Sequence, residues 1–149
     1  MSDILRTKEH TLSEEKEELL ANAEPALQTP YETFSLFNNA DIEFPSFEYP
    51  GKGIVNVSHA GYSAAMYSID REYRKKYYKC YYKPFISYKN TLSSLFNGNL
   101  RSAIFNASTR KYGSTREAAL DVNNIPLSVY DNLVSSLSDN LAPLNRWCS

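Results

Sequence analysis

Between Tyr73 and Ile104, apolar residues recur at spacings of three and four: Tyr73, Tyr77, Tyr81, Phe85, Tyr88, Leu92, Phe96, Leu100 and Ile104. That period matches the ~3.6-residue turn of an α-helix, so the stripe predicts one long helix with a single apolar face. Asp70 or Ser68 is placed to open this helix, and Tyr112-Gly113 to end it. Pro84 predicts a kink, since proline removes a backbone donor and crowds the preceding turn. Gly98 weakens the continuity of the helix.

The flanking segments have their own punctuation. Residues 3–23 read as one or two acidic helices, with Ser13 before Glu14 and Glu15 as an N-cap whose dipole favours acids. Thr29-Pro30-Tyr31-Glu32 has a capping hydroxyl, a proline at the first helical position and a Glu three residues on. It predicts a separate short helix from Pro30 to about Asn38, with Phe34 and Phe37 facing the core. Over residues 42–58, Ile42 and Phe44, Phe47 and Tyr49, and Val55 and Val57 alternate around a Pro50-Gly51-Lys52-Gly53 turn. This is a β-hairpin pattern, and Pro45 marks its first strand as an edge or bulged strand. Ser58 caps a short helix reaching about Tyr67. Ser114-Thr115-Arg116-Glu117 is a capping box for another helix ending near Asn123-Asn124. Pro126 starts the last one, where Tyr130, Leu133, Leu137, Leu141 and Leu144 form a narrow apolar seam.

The predicted fold is therefore all-α, mainly helical, with one small β-hairpin and a long kinked helix packed against a C-terminal helix. The 149 residues suffice for one domain or fragment, read as acidic helices over 1–41, a hairpin over 42–58 and a helical part over 59–149. Net charge is −1, yet residues 1–50 carry eleven Asp/Glu against three Lys/Arg, and residues 51–149 carry six against thirteen. The plain interpretation is solvated helix faces of opposite sign. No apolar run approaches the ~20 residues of a membrane span, and the amino terminus has no apolar signal core. Two cysteines, Cys80 and Cys148, form no CxxC pair and no disulfide framework. A cytoplasmic location follows as the expectation.

Candidate chemistry is sparse. A hydrolytic zinc site needs two His one helical turn apart, a third ligand and a carboxylate that activates the bound water. The chain has only His10 and His59, far apart and outside any HExxH pattern. His59 reads as a structural hydrogen-bonding residue, and Cys80, beside the apolar stripe, as an inert thiol. Gly51-Lys52-Gly53 lacks the spacing and following helix of a phosphate loop. No catalytic, metal-binding or cofactor-binding residue is expected. Arg71, Arg74, Lys75, Lys76, Lys79, Lys83 and Lys89 interleave with Tyr73, Tyr77, Tyr78, Tyr81 and Tyr82. Single-stranded nucleic-acid binders combine such groups. An overall pI of 6.1 favours the alternative, tyrosines as core and interface with basic side chains as the wet face.

The run ALDVNNIPLSVYDNLVSSLSDNLAPLNRW, residues 119–147, resembles a stretch of oligoendopeptidase F-type enzymes, of the thimet-oligopeptidase group of zinc peptidases. The resemblance is strongest at Asn123-Asn124-Ile125-Pro126 and Val129-Tyr130-Asp131-Asn132-Leu133. LRTKEHTLSEEKEELLA (5–21), YETFSLFNNADIEFP (31–45) and YRKKYYKCYYKPFISYKNTLSSLFNGNL (73–100) follow the family's segments in the same order, so the resemblance covers nearly the whole chain. One departure is Asn145 before Arg146-Trp147, where the family usually has His. The resemblance implies a largely helical enzyme, several times longer, closing around a channel for short peptides. Its HExxH helix and third ligand, a Glu, lie downstream of the region matched. Zinc is thus expected only in the catalytic part, and this segment upstream of it is expected to be inactive alone. Expected partners are the catalytic half of the same peptidase or a second copy, with no membrane and no nucleic acid. The alternative is a stand-alone helical interaction module.

Overall fold

The computed structural model describes residues 6–148, with the side chains of residues 147 and 148 left aside. In chain order these hold a 3₁₀ turn at Lys8–His10, α1 (Glu14–Leu36), a π turn at Phe37–Asp41, β1 (Phe47–Tyr49), β2 (Gly53–Val55), α2 (His59–Met66), α3 (Arg71–Ser87), α4 (Lys89–Thr109), α5 (Thr115–Asp121), α6 (Leu127–Asp139) and α7 (Leu141–Cys148). The mainly helical class with one antiparallel hairpin is as expected. The chain divides into two compact units: Pro25–Asn99, and the residues up to Glu24 together with those from Leu100 onward.

Several predicted boundaries hold for the expected reasons. The Ser58 side chain accepts from Gly61 N–H at 3.1 Å at the head of α2. Asp70, not Ser68, caps α3, its Oδ1 accepting from Tyr73 N–H at 3.1 Å. Ser114 accepts from Glu117 N–H at 3.0 Å, while the Glu117 carboxylate takes Gly113 N–H, one residue earlier than a strict capping box. Lys111 and Asn124, at φ 64° and 52°, are the left-handed residues that close α4 and α5. Behind them Tyr112 N–H reaches Ala107 O at 2.9 Å and Ile125 N–H reaches Leu120 O at 3.0 Å, the Schellman pattern.

Three expectations are corrected. No separate helix starts at Pro30: α1 runs through both Pro25 and Pro30. Thr29, expected as a cap, turns its hydroxyl back to Pro25 O at 3.1 Å, and Thr33 does the same to Thr29 O at 2.7 Å. Such back-bonding keeps a Thr inside a helix instead of at its head. Phe34 is exposed, whereas Phe37 meets Tyr88 edge-on at 5.2 Å.

The long helix is kinked after Pro84, as expected, but its apolar stripe does not stay on one face. Tyr88, at φ −99° and ψ 15°, separates α3 from α4 four residues after Pro84. The break shifts the helical phase. Tyr73 and Tyr77 are buried and Tyr81 and Phe85 half-buried, but beyond it Phe96, Leu100 and Ile104 are exposed while Leu92, Leu95 and Ala107 turn inward. Gly98 is the point of close approach within its unit, since a Cβ there would stand 2.9 Å from Pro30 Cγ.

The C-terminal seam is not packed on a long helix. Asn140 divides it into α6 and α7, and Tyr130, Leu133, Leu137, Leu141 and Leu144 are all exposed. Helical spacing aligned these side chains as foreseen; among the described residues Arg116 of α5 lies 5.2 Å over the Tyr130 ring, and the rest of the seam stays exposed.

Candidate functional site

In the unit Pro25–Asn99 the hairpin pairs Phe47 with Val55 and Tyr49 with Gly53. Positive φ at Gly51 (76°) and Gly53 (67°) makes the turn, a conformation that L side chains rarely adopt. The strands carry Phe47 and Tyr49 to the aromatic face of α3, where Phe47, Val57, Ala65, Tyr73 and Tyr77 form the core. Tyr77, 2% exposed, ties its hydroxyl to Ser58, accepting from the N–H at 3.1 Å and donating to the carbonyl at 3.3 Å. Gly61 faces that hydroxyl so closely that a Cβ would overlap it. Tyr49 donates to Asp70 Oδ2 at 2.7 Å. This bond pushes the Tyr49 phenol up to about 12, and the same bond with the Tyr73 N–H lowers the Asp70 carboxyl.

His59 sits at the junction of hairpin and helices. Its Nε2 lies 2.8 Å from Asn38 O, and Nδ1 lies 2.8 Å from Tyr81 Oη. A carbonyl only accepts, so Nε2 carries the proton, and in the neutral ring Nδ1 accepts from Tyr81. Both nitrogens are thereby used, and the ring is walled by Phe44 at 4.9 Å. Cys80 is a half-buried free thiol packed against the core cluster. The side chain of Cys148 lies outside the described residues.

The basic–aromatic run resolves into two faces of α3. Tyr73 and Tyr77 are core, and Tyr81 stacks on Phe44 with ring centroids 4.9 Å apart and planes at 6°. Lys76 donates to Glu48 O at 2.9 Å and lies over the Phe47 ring; Arg74 donates to Ser68 O at 2.6 Å. Tyr78 and Tyr82, 4.5 Å apart, remain exposed beside Lys75, Lys79 and Lys83.

The second unit contains a polar knot that the sequence did not signal. Arg110 forms a two-pronged pair with Glu17, Nη1 to Oε1 and Nη2 to Oε2, both at 2.8 Å. Leu12 N–H adds a third donor at 3.0 Å. Bonding to Arg110, then to Leu12, holds the Glu17 carboxyl down at about 2. His10 Nδ1 lies 2.8 Å from Arg110 O and its ring stacks on Tyr112 at 3.7 Å. Tyr112 donates to Asp121 Oδ2 at 2.8 Å, and Arg6 pairs with Oδ1 of the same carboxylate. Asp121 is lowered first by the Tyr112 hydroxyl; Tyr112 is raised first by burial, then by Asp121. Beside the knot lies a cleft of about 470 Å³ lined by Leu20, Ala21, Ala103, Ala107 and Ala118, with Glu17 and Arg110 at its polar side.

Chemically, these groups satisfy one another. The two histidines are fixed by carbonyl oxygens and rings, and the strongest carboxylates are spent on arginines and tyrosines. Among the described residues no three His, Cys, Asp or Glu side chains converge as a metal site would require, so the residues present do not fit zinc. Charge composition by halves was the only sequence trace of the knot, because its two Arg–carboxylate pairs stand 93 and 115 residues apart.

Residues 1–44 match the family described as oligopeptidase F, and residues 64–146 match peptidase family M3. The chain is 39% identical over 147 residues to the oligopeptidase PepF of Bacillus subtilis (strain 168), covering 99% of this chain and 22% of that protein. It is 36% identical over 144 residues to the plasmid oligoendopeptidase F of Lactococcus lactis subsp. cremoris, covering 97% and 24%. The fold superposes on the crystal structure of oligoendopeptidase-F from Enterococcus faecium with a TM-score of 0.93 and 37% identity, over 98% of this chain and 29% of that one. A putative peptidase from Chlamydophila abortus gives 0.89 at 33% identity. The chain thus spans about a quarter of the length of the curated relatives it matches. On this match across almost all its length, the chain belongs to peptidase family M3, as a segment of the oligoendopeptidase F type.

Proposed function

We propose that this chain is a non-catalytic helical part of an oligoendopeptidase F-like zinc peptidase that hydrolyses short peptides, and that alone it neither holds zinc nor cuts peptides. The observation that carries the reading is the match itself: 97–99% of the chain aligns to relatives of which it spans only 22–24%. No HExxH occurs in its sequence, and the engagement of His10 and His59 in structural hydrogen bonds supports the same reading. The partner it suits is the catalytic part of such a peptidase, in the cytoplasm. Among the described residues no helix is long and apolar enough to cross a membrane.

The test is direct. Purified chain is expected to contain far less than one zinc per molecule and to leave short peptides intact by mass spectrometry. Stoichiometric zinc together with EDTA-sensitive cleavage overturns the proposal. A second reading, a free-standing interaction module, draws on the exposed seam of α6 and α7. A folded chain that captures a specific partner, yet gains no peptidase activity when co-expressed with a catalytic part, favours it. Binding of nucleic acid has less support, because Tyr73, Tyr77 and Tyr81 are used inside the unit, leaving Tyr78 and Tyr82 for stacking.

A further inference from the structure

Helix α5 and the helices that follow it are held very differently. α5 is tied at both ends: Ser114 and Glu117 cap its head, and Asp121 in its last turn is bonded to Tyr112 and paired with Arg6. The chain then turns through Asn124, at φ 52°, and Pro126, at φ −60° and ψ 143°. No side chain caps α6 where it begins. Leu127 is half-buried, and every residue from Ser128 to Arg146 is exposed. Among the described residues two polar contacts join α5 to α6, and both come from one side chain. Arg116 Nη1 donates to Asp131 Oδ1 at 2.7 Å, and the guanidinium lies 5.2 Å over the Tyr130 ring.

We propose that α6 and α7 form an arm hinged at Asn124–Pro126 and latched to α5 by Arg116, which sets the direction in which the seam faces. Successive residues of an α-helix point about 100° apart. A group that engages both Tyr130 and Asp131 therefore straddles one edge of α6 and resists its rolling either way. Arginine suits this double hold, because its planar face lies on a ring while its edge donates to a carboxylate; a lysine ammonium is a point charge. The latch is also weak. Arg116 and Asp131 are 43% and 57% exposed, and exposed ion pairs and cation–π contacts each shift an equilibrium by roughly two- to fivefold. Together they favour the latched arm by about tenfold, so a minor population stands open.

Distances between two spin labels, measured by pulsed electron resonance, test this in a background with Cys80→Ala and Cys148→Ser. The labels go at Ala119→Cys on α5 and Ser138→Cys near the end of α6. The parent is expected to show one dominant distance and a minor second population. Arg116→Met is expected to raise the minor population about tenfold relative to the major one. Arg116→Lys, which keeps the charge without the double hold, falls between. Asp131→Asn and Tyr130→Leu each give a few-fold part of the change, and about 1 M salt, which screens exposed charges, moves the parent toward Asp131→Asn. Circular dichroism checks that each variant keeps its helices; if Arg116→Met does not fold, Asp131→Asn and Tyr130→Leu carry the test. A distance distribution that these substitutions leave unchanged, or a parent already spread over open positions, overturns the proposal. None of these readings depends on zinc content or peptide cleavage.

Discussion

Helices α3 and α6 carry the same kind of apolar stripe and meet opposite fates. In α3, Tyr73 and Tyr77 are buried under the hairpin and α2, and their neighbours Tyr81 and Phe85 are half covered. In α6, Tyr130, Leu133 and Leu137 stand in solvent. The difference does not lie in period or hydrophobicity. It lies in what the chain places opposite: a tight turn at Gly51–Gly53 brings strands onto α3, whereas among the described residues the neighbours of α6 are the short helices α5 and α7. An apolar period states that a helix face wants a partner, and leaves open whether the same chain supplies it.

The comparison is broken most severely at Tyr77. Tyr77→Ala is expected to cost about 3–5 kcal/mol, through the cavity and lost burial of a large aromatic in a small core. Urea unfolding monitored by circular dichroism reads this directly, and a cost below about 1 kcal/mol shows that the hairpin does not seal α3. Next comes Gly61→Ala. The added methyl must displace the Tyr77 hydroxyl or move α2, an overpacking cost of about 1–3 kcal/mol that outweighs the ~1 kcal/mol an alanine contributes to helix propensity. A stabilised variant shows that the contact relaxes freely.

The same comparison explains what was legible in the sequence. Caps at Ser58, Asp70 and Ser114 were readable because each works within three residues of its own position. The hairpin was readable from alternation and its glycines. The phase change at Tyr88 was not, since Pro84 signals a disturbance without saying which face emerges from it. The continuous α1 was hidden for a related reason. Thr29-Pro30-Tyr31-Glu32 satisfies every local rule for a helix start, and only the packing of Pro30 against Gly98 shows why the helix continues instead. Nothing local marks His10, Glu17, Arg110, Tyr112 and Asp121 as one assembly. Ion pairs have no sequence period, and the residues become neighbours only after α4 folds back.

That assembly sharpens the comparison through pH, because the buried core around α3 contains no carboxylate. Glu17 is lowered from 4.5 to about 2 in the folded chain. A carboxyl depressed by folding contributes stability that is complete above its unfolded value and is lost as pH falls from about 4.5 toward 2. Asp121 and Asp70 are lowered as well and add losses of the same sign. Thermal melts between pH 6 and pH 3 are expected to show a falling midpoint. Arg110→Met, which removes the main hydrogen-bond partner of Glu17, is expected to melt lower at pH 6 but to lose less on acidification. Parallel curves for the two proteins remove Glu17 from the acid response.

The smallest effect is the most informative about the seam. Leu133 is 58% exposed in α6, so Leu133→Gln forfeits little burial within one copy, and exposed substitutions of this kind stay within about 0.5 kcal/mol. Gln is also as good a helix former as most, so propensity does not disturb the reading. Tyr81→Gln on α3 serves as the counterpart: it removes a ring stacked on Phe44 and the hydroxyl that meets His59. In thermal melts Leu133→Gln should superimpose on the parent while Tyr81→Gln unfolds earlier. A large cost at Leu133 means that the seam is already covered within one molecule, and the contrast between α3 and α6 is lost.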